Sequence, residues 1–279
     1  MQRGKGKPFL EVFALALNED YRLPILEVFA FLLILTPFIF VSPGAYLTVE
    51  ISGGNVTYKL VSGARITYSL VFSTLGPSLP IFAILVFKNL AYGLGSDIEK
   101  GIIQTYLSYP LKRHMILSAK LLSSIILPLI ILLSTQIPAL YLLAPEIISQ
   151  CIDTVLLTYI AGLSPMLLIS GIILLVTLLL RRGGLALVSG ITLYFVFSTA
   201  SSMLMFMALA IKSPIILKLL STFYPSTTLS LYYGIEAYLA SEVWTPTFLE
   251  VVGYIGVSYL FTAFIFAIAY IYFCRRFSL

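Results

Sequence analysis

Residues 155–180 read VLLTYIAGLSPMLLISGIILLVTLLL and contain no charged side chain. A bilayer core about 30 Å thick needs roughly 20 apolar residues of helix, so this stretch is long enough to cross one. Of all 279 residues, 59% are hydrophobic and 10% are charged, whereas soluble domains carry roughly 25% charged residues. The composition therefore predicts a membrane protein.

Five similar apolar runs occur elsewhere in the chain, which gives six predicted transmembrane helices. Backbone N–H and C=O groups inside lipid must be satisfied within their own element, so runs of this length are predicted to be helices. The predicted fold class is an all-α polytopic membrane protein, in which residues 1–279 form a single transmembrane domain. The six predicted spans are residues 23–41, 68–92, 116–143, 155–180, 185–211 and 251–273.

Lysine and arginine are distributed unevenly between the two sides of this arrangement. With the amino terminus placed in the cytoplasm, thirteen of the 17 basic residues fall inside, and only Lys59, Arg65, Lys212 and Lys218 fall outside. Cytoplasmic loops carry the excess of Lys and Arg in membrane proteins. The pattern predicts a multi-pass membrane protein, with both termini cytoplasmic and residues 42–67 and 212–250 extracellular. Because the basic residues stand in short groups beside apolar runs, no nucleic-acid partner is predicted.

Three shorter features lie outside the predicted spans. Residues 8–22 carry apolar side chains at helical spacing, which predicts an amino-terminal interfacial amphipathic helix; the alternative is a polar lead-in. Apolar residues alternate on both sides of Gly53-Gly54, which predicts a small extracellular β-hairpin. Residues 212–250 suit either short helices that dip into the outer leaflet or a surface loop.

The longest cytoplasmic connection between spans is contained in residues 93–120, GLGSDIEKGIIQTYLSYPLKRHMILSAK. Ile98, Ile102 and Tyr106 recur every four residues, so an amphipathic helix is predicted over residues 97–108. Asp97 and Glu99 stand near its start, where acidic groups interact favourably with the helix dipole, and Pro110 ends it. Such a helix could dock in a groove on a partner, or lie on the membrane without a partner.

This segment resembles the cytoplasmic loop of ABC transporter permeases of the type 2, export-type family. In that family a Glu and a Gly open a short helix, and Leu, Pro, Arg and Lys follow. The corresponding residues are Glu99, Gly101, Leu107, Pro110, Arg113 and Lys120, with departures at Ile102, where Thr or Ser is usual, and Ala119, where Gly is usual. The six-span layout and the amino-terminal amphipathic helix extend the resemblance along the chain.

The resemblance implies that residues 97–108 are a coupling helix that docks on a separate cytoplasmic ABC ATPase subunit. It also implies a second permease copy or a sister permease, with spans two and five lining the path between the two permeases. The implied ATPase-coupling residues are Asp97, Glu99, Gly101, Ile102, Tyr106, Pro110, Lys112 and Arg113. The candidate path or dimer-interface residues are Ser78, Ser198, Thr199, Ser201 and Ser202, although hydroxyl side chains also commonly mediate helix packing.

The sequence lacks the motifs of several kinds of active site. It contains no GxxxxGK[ST] phosphate loop, so ATP and Mg²⁺ are expected on the partner ATPase and no cofactor on this chain. Cys151 and Cys274 show no metal-binding spacing, and neither a metal site nor a catalytic residue is predicted. A secondary transporter or channel is the alternative function, but the scarcity of charge within the spans argues against ion coupling. A membrane-embedded enzyme is a third possibility, but the predicted spans lack the polar catalytic cluster that such an enzyme needs.

Overall fold

The computed structural model describes residues 8–21, 25–40, 47–52, 55–60, 63–108, 112–234 and 242–276. Most of these residues are helical. The helices are α1 Pro8–Asp20, α2 Ile25–Phe40, α3 Ala64–Glu99, α4 Ile102–Ser108, α5 Arg113–Leu143, α6 Pro145–Gln150, α7 Ile152–Leu180, α8 Gly183–Ile211, α9 Pro214–Phe223, α10 Pro225–Tyr232 and α11 Phe248–Arg275.

Two strands, β1 Leu47–Ser52 and β2 Asn55–Leu60, pair antiparallel between α2 and α3. Their register runs from Leu47 opposite Leu60 to Ser52 opposite Asn55. The predicted turn at Gly53-Gly54 lies outside the described residues. The extracellular placement of these strands stays a prediction.

Five of the described helices are long and apolar enough to cross a membrane, namely α3, α5, α7, α8 and α11. Helix α2 has 16 residues and reaches that length only when counted with α1, from which it is bent by 72°. The chain is thus a helical protein with several membrane-spanning helices, and the sixth predicted span, which rests on α2, stays a prediction.

Helix α7 is the centre of the bundle, and α8 lies at its edge. α7 packs against α3, α8 and α11, while α2 packs against α3 and α5. In the most apolar window of α7, 67% of the residues are buried, against 6% in α8. Most of α8 therefore has a surface that no other described part of the chain covers.

Helix α2 contains Pro37, which cannot donate a backbone hydrogen bond to the carbonyl four residues earlier, that of Leu33. The side chain of Gln136 on α5 takes the place of the missing donor, with Nε2 at 2.6 Å from Leu33 O. Neighbouring side chains often satisfy a carbonyl that proline frees inside a membrane helix. This bond fixes α2 against α5.

The structure divides the helix that the sequence predicts over residues 97–108. Asp97 and Glu99 belong to the last turn of α3, and the separate helix α4 starts at Ile102. Gly101 lies between them with φ of 71°, a left-handed conformation that glycine adopts without strain. The single continuous helix was therefore wrong, because the periodicity of Ile98, Ile102 and Tyr106 does not reveal the break at glycine.

Two short helices, α9 and α10, occupy the predicted extracellular segment after α8. Both begin with proline, which is favourable in the first turn of a helix. Tyr233 Oη donates to Thr154 Oγ1 at the start of α7, and Tyr68 Oη at the start of α3 lies 3.3 Å from Ser226 O. These helices therefore lie at the end of the bundle opposite to α4.

Candidate functional site

A buried ionic cluster joins α1, α3 and α5 at the end of the bundle where α3 finishes. Lys120 Nζ lies 2.7 Å from Asp97 Oδ2 and 2.8 Å from Glu19 Oε2. The side chains of Lys120 and Asp97 are each 2% exposed, while that of Glu19 is 38% exposed. A charge buried this deeply needs its partner, so the three helices are held in one arrangement.

Asp20, the last residue of α1, and Tyr21, which follows it, add further hydrogen bonds beside this cluster. Ser123 Oγ on α5 donates to Asp20 Oδ2, and Tyr21 Oη donates to Ser123 O at 2.8 Å. On α3, Asn89 Nδ2 donates to Tyr21 Oη at 3.1 Å and Lys88 Nζ donates to Asp20 O at 2.6 Å. Residues 19–21 thus contact both α3 and α5.

Burial raises the pKa of the Asp20 carboxyl to about 6. The hydrogen bond from Ser123 and the positive charges of Lys120 and Lys88 oppose this rise, whereas Glu19 adds to it. Burial also raises the pKa of Tyr21, so its hydroxyl stays protonated and can donate. The Asp20 carboxyl is therefore easier to protonate than an ordinary aspartate.

Sequence reasoning missed Asp20 and Glu19. Val12, Ala16 and Asp20 follow one another at intervals of four and are the buried side chains of α1, so the periodicity that predicts an amphipathic helix also carries this signal. The periodicity does not reveal which residues of α3 and α5 contact Asp20, because those residues are distant in the sequence.

A cavity of about 230 Å³ with charged walls opens beside the cluster. Its lining carries two acidic and two basic side chains together with an exposed tyrosine. The lining residues are Glu19, Asp20, Lys88, Tyr92, Gly93, Ser96 and Lys100. The Asp20 carboxyl therefore lies at the wall of a cavity lined by polar side chains.

The end of α3 also contacts the start of α8. Glu99 Oε2 accepts a hydrogen bond from the Gly183 backbone N–H at 3.1 Å, which places a carboxylate at the amino terminus of α8. A Cβ atom on Gly95 would lie 2.9 Å from Gly183 Cα, so only glycine permits this approach. Glu99 is therefore a link between the segment that precedes α4 and the fifth predicted span.

The predicted ATPase-coupling residues fall into different environments. Asp97 is buried in the ionic cluster, Gly101 forms the break, Ile102, Tyr106 and Arg113 are half-buried, and Lys112 is exposed. Glu99 is exposed but bonded to Gly183. Pro110 lies outside the described residues. The surface that a partner could contact near α4 is formed by exposed side chains, namely Glu99, Lys100, Gln104, Thr105, Lys112 and His114.

The predicted path residues on α8 share a largely exposed surface. Ser198, Thr199 and Ser202 are exposed and Ser201 is half-buried, with Ser201 and Ser202 donating to Ser198 O. Ser78 does not share this surface, because it is fully buried in the bundle and donates to Thr74 O on its own helix. Because Ser78 is buried among the helices of its own chain, its position does not support a role in a path or dimer interface.

An apolar cavity of about 190 Å³ lies between α8 and α9. Burial raises the pKa of Tyr224 to about 12, and a hydrogen bond with Ser201 opposes this rise. The cavity is lined by Val196, Phe197, Ala200, Ser201, Leu204, Leu219, Leu220, Phe223 and Tyr224. Its chemistry suits a hydrocarbon chain and offers almost no polar recognition.

No protein-family model matches the chain, and no curated protein matches it in sequence. In the described parts of the chain, no group of three or more His, Cys, Asp or Glu side chains is placed to hold a metal ion. The fold and its apolar helices define the class as a multi-pass membrane protein.

Proposed function

We propose that the chain is the permease subunit of an ABC exporter in a prokaryotic plasma membrane. It would pair with a second copy or a sister permease, and separate ATPase subunits would bind ATP and Mg²⁺ in the cytoplasm. The motif residues Glu99, Gly101, Arg113 and Lys120 support this proposal, since they cluster around α4 at one end of the bundle.

The hydrogen bond between Glu99 and Gly183 is the observation that carries the proposal furthest. A force applied to α4 by a partner would reach α3 directly through Gly101 and α8 through Glu99. α8 carries the exposed surface on which the predicted path residues lie. A contact at α4 could therefore change the position of α8 relative to the bundle.

The buried Asp97–Lys120 pair supports the same transmission. Lys120 also holds Glu19, so the end of α3 is fixed to α1 and α5 rather than free to bend alone. Removing one partner of a buried ion pair is strongly destabilising, because the other charge is then left buried without compensation. The pair therefore favours the arrangement of helices in which both partners meet. The bundle end next to α4 should then respond to a partner as one unit.

Copurification from native membranes tests the proposal. A tagged chain should bring down an ATPase that carries a phosphate loop, and the complex in proteoliposomes should hydrolyse ATP. Lys112→Glu, which reverses an exposed charge beside α5, should weaken that association, whereas Lys212→Glu at the opposite end should not. A tagged chain that binds no ATPase and yields no ATP hydrolysis would refute the proposal.

A secondary transporter is the second candidate, and one observation favours it. Ion-coupled transporters use buried ionisable groups, and Asp20, Asp97 and Lys120 are all buried. These groups lie at one end of the bundle rather than at its middle, which favours a structural role. Transport by the purified chain in ATP-free vesicles, driven by an ion gradient alone, would establish this alternative.

A further inference from the structure

Helices α3 and α5 each contain a π-helical segment at the level of the ionic cluster. These segments are Asn89–Gly95 in α3 and Leu122–Ile126 in α5, and they pack against each other. In each, a backbone N–H bonds to the carbonyl five residues earlier, from Ser96 to Ala91 O and from Leu127 to Leu122 O. Single π turns inside α-helices occur frequently at functional sites.

The π turn of α5 leaves one carbonyl without a helical donor. Ser123 O would normally accept from residue 127 or 128, but the Leu127 N–H bonds to Leu122 O and Pro128 has no N–H. Tyr21 Oη fills this position at 2.8 Å. A side chain of α1 thus completes the hydrogen bonding of a π turn in a membrane-spanning helix.

Other contacts of residues 19–21 reach the same two segments. Asn89, at the start of the π segment of α3, donates to Tyr21 Oη, and Ser123 in the π turn of α5 donates to Asp20. Glu19 contacts Lys120, which also holds Asp97 two residues before Glu99. The end of α1 is therefore connected to the segment that leads into α4.

The remainder of α1 packs against the bundle through one apolar face. Its buried apolar side chains are Val12 and Ala16, while Leu10 and Leu15 are more than half exposed. Glu19 is 38% exposed, and the charged cavity reaches Asp20. The attachment of α1 thus combines apolar packing along one face with polar contacts at its carboxyl end, where the charged cavity opens.

We infer that Glu19, Asp20 and Tyr21 form a releasable clasp, which holds the π turns of α3 and α5 and thereby fixes the segment that leads into α4. Release of α1 frees Lys120 from Glu19 and removes the donor to Ser123 O. The π turn of α5 then has an unpaired carbonyl and α3 loses a contact next to Asp97. Regulation of partner binding at α4 by this clasp rests on the proposed function, but the clasp itself does not.

Amide hydrogen exchange of the purified chain in lipid nanodiscs tests the clasp. Tyr21→Phe removes only the hydroxyl, and it should accelerate exchange in both α1 and α4 by at least about 5-fold, since a buried acceptor loses its donor. Glu19→Gln should affect the same two helices. Tyr92→Phe is the matched control, because Tyr92 is exposed at the same cavity, and it should leave both helices unchanged.

A double-mutant cycle separates the clasp from simple loss of packing. Pro128→Ala supplies an N–H five residues after Ser123, so the effect of Tyr21→Phe should become smaller in that background. Pro138→Ala, at an exposed position of the same helix, should leave the effect of Tyr21→Phe unchanged.

Two results would overturn the inference. One is an equal effect of Tyr21→Phe with proline or alanine at 128, and the other is faster exchange confined to α1 with α4 unchanged. The assay contains neither ATP nor an ATPase, so its failure leaves the permease proposal standing. Failure to bind an ATPase would likewise leave the clasp standing.

Discussion

Glu99 on α3 accepts a hydrogen bond from the backbone N–H of Gly183, the first residue of α8. The two residues are 84 positions apart in the chain, and the bond joins the helices that contain the second and fifth predicted spans. It satisfies one of the N–H groups that every helix leaves without a partner in its first turn.

Replacing Glu99 tests whether this bond stabilises α8. Glu99→Ala should lower the free energy of unfolding by about 0.5–2 kcal/mol, the usual effect of removing a side chain that caps a helix amino terminus. Glu99→Gln keeps an oxygen acceptor and should lose less. Denaturant titration of the detergent-solubilised protein measures both, and equal losses for the two variants would show that the hydrogen bond is not the source.

Glu99→Ala and Arg113→Ala should also reduce copurification with the proposed ATPase or uncouple ATP hydrolysis from substrate. Both residues lie outside the predicted spans, at the end of the bundle next to α4, so the membrane fold should survive their replacement. Lys218→Ala, at the opposite end, is the control. Unchanged ATPase association and coupling in both α4-side variants would contradict their proposed role.

The Lys120 ammonium should be necessary for the stability of the α1–α3–α5 junction. Lys120→Met leaves the Asp97 carboxylate buried without its counter-charge, so the free energy of unfolding should fall by about 3–5 kcal/mol. Asp97→Asn combined with Lys120→Met should recover part of this loss, because the buried charge is then absent. Lys100→Met, at an exposed position, should have little effect.

Asp20 should make stability depend on pH. Because the pKa of its carboxyl is raised from 3.8 to about 6 in the folded protein, the protonated form is favoured, and stability is lost as the pH rises through about 6. The rise corresponds to about 3 kcal/mol at most. Asp20→Asn should therefore raise the thermal unfolding midpoint more at pH 8 than at pH 5.

Asp153→Asn is the control for this comparison, since Asp153 is exposed in the first turn of α7. The midpoint shifts of the two variants are compared at pH 5 and at pH 8. An Asp20→Asn variant whose midpoint shift is independent of pH would contradict the assignment.

Bulky replacements on the exposed surface of α8 test whether this surface lines a transport path or packs against another helix. If Ser198 and Ser202 line a path, tryptophan at either position should reduce transport while the permease pair still assembles. Thr192→Trp, at an exposed position elsewhere on α8, provides the comparison. Loss of the pair with transport per assembled complex unchanged would instead assign these residues to helix packing.

Thiol labelling tests the predicted orientation in the membrane. In a chain with Cys151 and Cys274 replaced by serine, a cysteine at Thr245 should react with an impermeant reagent in intact cells. A cysteine at Gln104 on α4 should react only after the membrane is opened. The reverse pattern would invert the predicted topology. Both positions are exposed, so accessibility within the protein does not limit either reaction.

Hydrophobic runs in the sequence are sufficient to place the long helices, because length and apolarity are properties of single segments. The runs at 155–180 and 185–211 lie within α7 and α8. The amphipathic pattern of residues 8–22 likewise marks the buried positions Val12 and Ala16. In these segments the signal is local, so the sequence alone was sufficient.

The candidate site depends on relations that no local pattern contains. Gly101 was recognised as part of a motif, but its positive φ and the break it produces were not. Asp97 was expected to face a partner, whereas its position in α3 turns it towards Lys120. The bond from Gly183 to Glu99 joins segments that approach only through packing of the bundle.

The buried contacts of Lys120 with Asp97 and Glu19 also imply a response to temperature. The hydration of charged groups becomes less favourable on heating, so the desolvation penalty for burying these three side chains falls as the temperature rises. The contribution of these ion pairs to stability should therefore increase on heating relative to that of contacts made by neutral hydrogen bonds. On cooling, the contacts between α1, α3 and α5 should weaken before those neutral contacts do.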